Sequence, residues 1–302
     1  MEYPTYRLES HTAAMLAEAG LSPLDVESMV FRAVVEDIDG GVDVTTVATV
    51  PVDQRGRLAF VARAPGVVAG GVIVAAVLDV VCGEDKHINL AAREGARVEA
   101  GQTILEVTAR THDLLRAERP ALNFLGHLSG IATLTRAWVD AVEVTSAQIR
   151  DTRKTTPGLR GMEKYAVRIG GGVNHRMSLA DAALVKDNHV LAAGGVAEAF
   201  EAVRTAFPQV EVEVEVDTLD QLDQVLAAGA DLVLLDNFAT DQLTKAVARN
   251  AGRAKLEASG GLSLPRAREV AATGVDYLAV GALTHSAPVL DIGADLTVIE
   301  QE

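Results

Sequence analysis

Leu232-Val233-Leu234-Leu235-Asp236 decides the fold. Four apolar residues run without a polar break and then stop at an acid. A strand buried on both faces reads this way, and such strands belong to parallel sheets. Outward from it the same form recurs. Ala183-Leu184-Val185-Lys186 and Val212-Glu213-Val214-Glu215 precede it; Lys255-Leu256-Glu257-Ala258-Ser259 and Leu278-Ala279-Val280-Gly281 follow. The run ends, Lys186, Glu215, Asp236, Ser259 and Gly281, lie 29, 21, 23 and 22 residues apart, with helical patterns between them. That is the period of a strand, a helix and two loops. Repeated βα units predict a parallel sheet, and the regular spacing favours a (β/α) barrel over an open sheet.

A barrel of this kind does its chemistry at the C-terminal ends of its strands. The groups at those ends here are a lysine, a glutamate, an aspartate, a serine and a glycine, which a purely structural barrel has no need to place there. The densest stretch is 150–186. Its eight basic residues against three acidic ones give +5, leaving −20 on the remainder. Arg160, Lys164 and Arg168 recur every four residues and read as a solvated helical face. Arg153, Lys154, Arg176 and Lys186 fall outside that helix, near strand ends. Arginine forks match carboxylates and phosphates, so a small acidic ligand fits.

Ser259-Gly260-Gly261 and Gly281-Ala282 follow consecutive late strands. They read either as tight turns or as a phosphate site built from backbone N–H groups, and the pairing favours phosphate. Glu215 and Asp236 end neighbouring strands beside this basic region. Such a pair suits Mg²⁺, which takes few carboxylates plus phosphate oxygens, or steadies a developing positive charge. Glu211 and Glu213 share parity with Glu215, so an ordinary two-faced strand is the plain alternative. It explains Glu211 better than Glu215. Gly170-Gly171-Gly172-Val173-Asn174-His175-Arg176 reads as a flexible loop that brings His175 and Arg176 to the site or merely turns the chain. His11, His87, His112 and His127 read as structural.

The first part of the chain mixes helix and strand. Ser10 to Val35 has helical spacing, broken by Gly20 and Pro23 into two helices. Asp43-Val44-Thr45-Thr46 opens a loop or strand region, and Leu58 to Val61 reads as a strand. Val72 to Val81 is apolar all round and predicts a buried helix. Gly95 to Gln102 turns between short strands that continue over Thr103 to Val107. Taken alone, 55–110 resembles the hammerhead sandwich of biotinyl and lipoyl domains, but Ala64-Pro65-Gly66-Val67-Val68 carries no lysine to modify. Glu118-Arg119-Pro120 opens a long helix to about Val142, with Pro120 in the first turn, where its missing N–H costs nothing.

Composition narrows the rest. With 302 residues, 49% apolar and 23% charged, the chain is globular and long enough for two domains. A net charge of −15 with 4% aromatics argues against nucleic acid and anionic membranes as partners. Cys82 is the one cysteine, which excludes an internal disulfide and fits a cytoplasmic setting. Met1-Glu2-Tyr3-Pro4 has no basic segment leading into an apolar core. The most apolar stretch, Val67 to Leu78, stops at Asp79, too short to span a bilayer.

Asp151-Thr152-Arg153-Lys154-Thr155-Thr156-Pro157-Gly158-Leu159-Arg160, Lys164-Tyr165-Ala166-Val167, Gly170 to Arg176 and Lys186-Asp187-Asn188-His189 together resemble the quinolinate phosphoribosyltransferases, also called carboxylating nicotinate-nucleotide pyrophosphorylases. Asp43 to Thr46, Glu118 to Pro120, Glu213 to Val216, Leu235-Asp236-Asn237, Glu257 to Gly261 and Val280 to His285 match as well. The resemblance covers nearly the whole chain and is weakest before residue 25.

It implies an α/β protein: an N-terminal α+β open sandwich (1–128), an incomplete (β/α) barrel (129–285) and a tail (286–302) packing back on the first domain. It implies transfer of phosphoribosyl from 5-phosphoribosyl 1-pyrophosphate to quinolinate, with loss of CO₂ and pyrophosphate and formation of nicotinate mononucleotide for NAD synthesis. Mg²⁺ is implied as cofactor, with Glu215 and Asp236 as its ligands. A homodimer is implied whose sites borrow Arg119 from the partner subunit. Lys154, Glu215 and Asp236 take the catalytic roles. Arg119, Thr152, Arg153, Lys154, His175, Arg176 and Lys186 meet quinolinate or pyrophosphate. Ser259, Gly260, Gly261, Val280, Gly281, Ala282 and His285 surround the phosphosugar. The competing readings are a same-fold transferase for another base, such as the molybdenum-associated relatives, a carrier module fused to a barrel, and a non-catalytic sensor of phosphorylated metabolites. A base with fewer carboxylates would not need this many cations, and a sensor would not need Glu215 with Asp236.

Overall fold

The computed structural model describes residues 7–300, so the reading of Met1–Pro4 lies outside the described residues. The strands are β1 (Arg55–Ala62), β2 (Gly66–Val67), β3 (Lys86–Leu90), β4 (Arg97–Val98), β5 (Thr103–Arg110), β6 (Gln148–Arg150), β7 (Ala183–Val185), β8 (Val212–Val216), β9 (Leu232–Asp236), β10 (Lys255–Ser259), β11 (Tyr277–Ala279) and β12 (Ile292–Ile299). The chain divides into two compact units. The first comprises 7–134, 156–170 and 286–300; the second comprises 135–155 and 171–285.

The first unit is built on an antiparallel sheet in the order β12-β1-β5-β3, with β2 and β4 paired separately. Leu58, Phe60, Leu105 and Val107 are buried in it. Helix Gly71–Cys82 is buried at every residue, as its apolar sequence requires, and its one acid, Asp79, pairs with Lys86 Nζ at 2.9 Å. The spacing that predicts two helices before it is met by Ser10–Glu18 and Pro23–Ile38. Asp43 opens a helix, Val44–Thr49, rather than a loop or strand. Its carboxylate accepts from the amides of Thr45 and Thr46, and this N-cap outweighs the β preference of the valine and threonines.

A second correction concerns the long helix, which runs Thr111–Val142 with Pro120 inside it. β5 passes directly into its first turn, where Arg110 pairs with Asp113 at 2.8 Å. Pro120 costs the bond to the Arg116 carbonyl. Burial of Leu114, Ala117, Ala121, Leu125 and Leu128 along one stripe offsets that loss. A third concerns 156–170, which sits in the first unit rather than in a continuous 129–285 barrel. Helix Arg160–Ile169 buries Met162, Tyr165 and Ala166, and its buried Glu163 is 2.9 Å from His127 Nε2 and accepts from the Thr156 amide. Lys164 is fully buried, so the solvated-face reading fails for it.

The last segment crosses the long helix at two glycines. The Leu290 amide donates to the Gly126 carbonyl, and a Cβ on Gly130 would stand 2.1 Å from the Pro288 carbonyl oxygen. Beyond it β12 pairs antiparallel with β1 over eight residues. Backbone cannot yield as a side-chain tip can, so Gly130→Ala is expected to cost about 1–3 kcal/mol and to lower the melting temperature by several degrees. An unchanged melt would show that this close crossing does not hold the segment in place.

The second unit is a six-stranded parallel sheet in the order β6-β11-β10-β9-β8-β7. The five strands β7–β11 follow in sequence, as the period predicts, and the sheet is open between β6 and β7. Val173 lies along the free edge of β6, bridging to Arg150. Among the described residues no helix is long and apolar enough to cross a membrane.

Candidate active site

Parallel strands share one C-terminal edge, and that edge of the second unit gathers the barrel residues singled out by sequence. Asp236 and Ser259 end β9 and β10 as register partners. Lys186, just past β7, pairs with Glu215 near the end of β8, Nζ to Oε2 2.8 Å. β6 leads into Asp151–Lys154. Around Gly281 the convergence is tight: a Cβ there would meet Lys154 Cδ at 3.2 Å, His285 Nε2 at 3.3 Å and Thr152 Oγ1 at 3.4 Å. The Lys154 amide donates to Thr152 Oγ1, and Thr284 Oγ1 donates to the Lys154 carbonyl, so the lysine's backbone is pinned to the β11 loop. Arg119 is exposed on the long helix of the first unit.

Two arginines form the cationic part. Desolvation, and next the positive charge of Arg153, hold the Arg176 guanidinium below its ordinary range. Arg176 Nη1 donates to the Ala182 carbonyl at 2.9 Å. The Nε of Arg153 and the Nε of Arg176 are both buried without an acceptor among the described residues. Two neighbouring guanidiniums with unused buried donors are costly unless an anion completes them.

The glycine loops have backbone reasons for their composition. Gly260 has φ +86°, and a Cβ there would strike Asn237 Oδ1 at 2.1 Å and its amide nitrogen at 2.9 Å. Asn237 itself is left-handed at φ 56°, its amide donating to the Ser259 carbonyl. Among the described residues no backbone carbonyl accepts from the amides of Gly260, Gly261 or Gly281. These N–H groups remain for an anionic oxygen.

Glu215 and Asp236 each commit one oxygen, to Lys186 Nζ and to Asn237 Nδ2. Hard carboxylate oxygens on adjacent strand ends, beside these glycine amides, fit Mg²⁺ by donor chemistry. The tightest group with metal-ligand chemistry lies elsewhere: His175, Glu213 and Glu257, all buried, with ligand atoms within 4.8 Å of one another. There Arg150 Nη1 binds Glu257 Oε2 at 2.6 Å, its guanidinium over the Tyr277 ring. A fixed cation already occupies the place of a metal's charge.

Sequence reasoning sets His175 among the substrate ligands. The structure instead gives both ring nitrogens protein partners, Glu213 Oε2 at 2.6 Å from Nε2 and the Arg176 amide at 2.8 Å from Nδ1. Glu213 and Glu257 are not singled out by their spacing, since alternating acids on a strand read as a solvated face. Burial pushes both carboxyls up to about 7; Arg150 opposes the rise in each, Glu213 adds to that of Glu257, and Glu211 and Glu215 add to that of Glu213. Asn237 is the other residue given no role by sequence, although it stands in the matched stretch Leu235-Asp236-Asn237.

The model of the quinolinate phosphoribosyl transferase C-terminal domain matches residues 131–295, and that of the N-terminal domain matches 43–129. A nicotinate-nucleotide pyrophosphorylase [carboxylating] of Mycobacterium leprae is 55% identical over 269 residues, covering 88% of this chain and 95% of its own. A quinolinate phosphoribosyltransferase [decarboxylating] of Nicotiana tabacum is 37% identical, covering 89% and 81%. The solved structure of NadC from Streptococcus pyogenes superposes with a TM-score of 0.88 at 37% identity, covering 93% of this chain and 99% of that one. The chain therefore belongs to the quinolinate phosphoribosyl transferase family, with both of that family's domains.

Proposed function

We propose that this chain joins quinolinate to 5-phosphoribosyl 1-pyrophosphate, releasing pyrophosphate and CO₂ and forming nicotinate mononucleotide, a step of NAD synthesis. The observation that carries it is the pair Arg153 and Arg176, each with a buried donor awaiting an acceptor. A pyridine dicarboxylate supplies acceptors to both. Lys186 lies at the same strand edge, and Arg119 of a second subunit would add to the set. The amides of Gly260, Gly261 and Gly281, with Ala282 beside them and Val280 and His285 flanking, suit the 5-phosphate. Glu215 and Asp236 face the ribose.

The C1–oxygen bond to pyrophosphate breaks as the pyridine nitrogen bonds to C1. Positive charge gathers at C1, where Glu215 and Asp236 stabilise it. Thr152 and the β11 loop hold Lys154, which takes the departing pyrophosphate or the carboxylate to be lost. The ring is now cationic and holds the electron pair left at C2 when CO₂ departs; a proton then replaces it. No side chain need act as base, so positioning and charge supply the catalysis. Mg²⁺ held by Glu215 and Asp236 would neutralise pyrophosphate. A cytoplasmic setting suits Cys82, whose thiol burial pushes up to about 12.

The test is release of CO₂ and pyrophosphate from quinolinate, 5-phosphoribosyl 1-pyrophosphate and Mg²⁺, with nicotinate and nicotinamide in parallel. One-to-one release with quinolinate alone is expected. Folded protein that releases neither overturns the reading. For the shared site, Arg119→Ala and Lys186→Ala subunits, each inactive alone, are expected to regain activity when exchanged into mixed dimers. Exchange without recovery would remove Arg119 from the partner's site.

A further inference from the structure

His175 stands between a strand and a loop. Its backbone amide donates to Asp151 Oδ1 at 2.8 Å, so the loop is already tied to the end of β6. Its ring makes the next two links. The Arg176 amide donates to Nδ1, and an N–H donor 2.8 Å away requires Nδ1 to carry no proton. The ring proton then belongs to Nε2, where Glu213 Oε2 accepts it at 2.6 Å. Glu213 comes from the middle of β8, buried to 2% exposure. Arg150, held by Glu257 and Tyr277, lies 4.0 Å from its other oxygen and supplies the countercharge.

An imidazole without that acceptor is free to move its proton to Nδ1. Two donors would then face each other, and the Arg176 amide would have to turn away. Its side chain would lose the setting that places it beside Arg153. The same three ligand atoms could be read as a metal site. Arg150 and the direct imidazole–carboxylate hydrogen bond argue for the proton instead.

We propose that Glu213 is a positioning residue that holds the His175 imidazole as its Nε2–H tautomer and so fixes Arg176 for the second carboxylate of the substrate. The substrate half of this rests on the function proposed above; the tautomer half does not.

The experiment therefore has two readouts. In protein labelled with ¹⁵N-histidine, the His175 ring is expected to show a protonated Nε2 and an unprotonated Nδ1, with no substrate present. Glu213→Gln keeps an acceptor oxygen and is expected to keep that spectrum and the wild-type KM for quinolinate. Glu213→Leu removes the acceptor; the ring is expected to mix tautomers, and the quinolinate KM to rise about tenfold or more, with kcat and the sugar-pyrophosphate KM little changed. A wild-type ring protonated at Nδ1 overturns the proposal. So does a Glu213→Gln enzyme that loses quinolinate affinity, or a Glu213→Leu enzyme that keeps it. One bound transition metal per chain, lost in Glu213→Gln, overturns it in favour of the metal site. If Glu213→Leu does not fold, the wild-type and Glu213→Gln results still decide. An enzyme inactive on quinolinate but with the expected spectra would count against the proposed function and leave the tautomer lock standing.

Discussion

Arg153→Ala is expected to raise the KM for quinolinate about a hundredfold, since a charge-assisted hydrogen bond contributes up to about 3 kcal/mol. The KM for 5-phosphoribosyl 1-pyrophosphate is expected to stay near its wild-type value. Both effects come from the arginine pair. Arg153 and Arg176 repel each other and leave buried donors unused, a cost that the folded protein carries and that, on the proposed function, a dianion relieves. Removing Arg153 relieves the repulsion, so the empty enzyme is expected to be at least as stable as the parent. This opposite movement of stability and affinity separates a ligand-binding role from a structural one. Steady-state kinetics with each substrate varied, together with a thermal melt, measures both. Equal loss for the two substrates, or a lower melting temperature with unchanged kinetics, would remove Arg153 from quinolinate recognition. The substitution should also narrow the preference for quinolinate over nicotinate, because nicotinate has only one carboxylate to lose contact.

How much of this was open to reading in the residues differs from strand to strand. β9 and its neighbours were legible because strands buried on both faces are written as apolar runs, and the polar residue at each run's end marks where backbone leaves the sheet. Lys186, Glu215, Asp236 and Ser259 follow from that rule with no knowledge of packing. β6 did not, since three residues, Gln148-Ile149-Arg150, carry no period. Glu213 and Glu257 escaped for a different reason. Polar alternation means solvent on an open sheet, but the inner face of a barrel can hold charges when an arginine and an imidazole are brought to them. The partners, Arg150 and His175, lie 107 and 38 residues away in the chain, and only the tertiary fold joins them. The allegiance of 156–170 is likewise tertiary. It depends on Glu163 meeting His127 and on Arg168 donating to the Ala19 carbonyl.

Asp236→Asn is expected to lower kcat by about 10²–10³-fold, the effect of losing one preorganised electrostatic partner of a developing charge. The substitution keeps the shape of the side chain. Asn237 Nδ2 still finds an oxygen, and the Asn237 amide still donates to the Ser259 carbonyl, so the left-handed turn behind the site survives. What disappears is one negative charge at the end of β9, opposite Ser259 and one strand from Glu215. On the proposed function quinolinate meets the cationic groups, not this carboxylate, so its KM is expected to hold. Varying Mg²⁺ divides the two roles that Asp236 can have. If excess Mg²⁺ restores the rate, the carboxylate serves to retain the ion; if it does not, the carboxylate acts on the sugar directly. A kcat within tenfold of wild type at every Mg²⁺ concentration would exclude both, and a rise confined to the quinolinate KM would mean that Asp236 orders the base-binding side instead. Pyrophosphate release and CO₂ release should fall together. Breaking the C1–oxygen bond comes first, and decarboxylation needs the cationic ring that only this bond change creates.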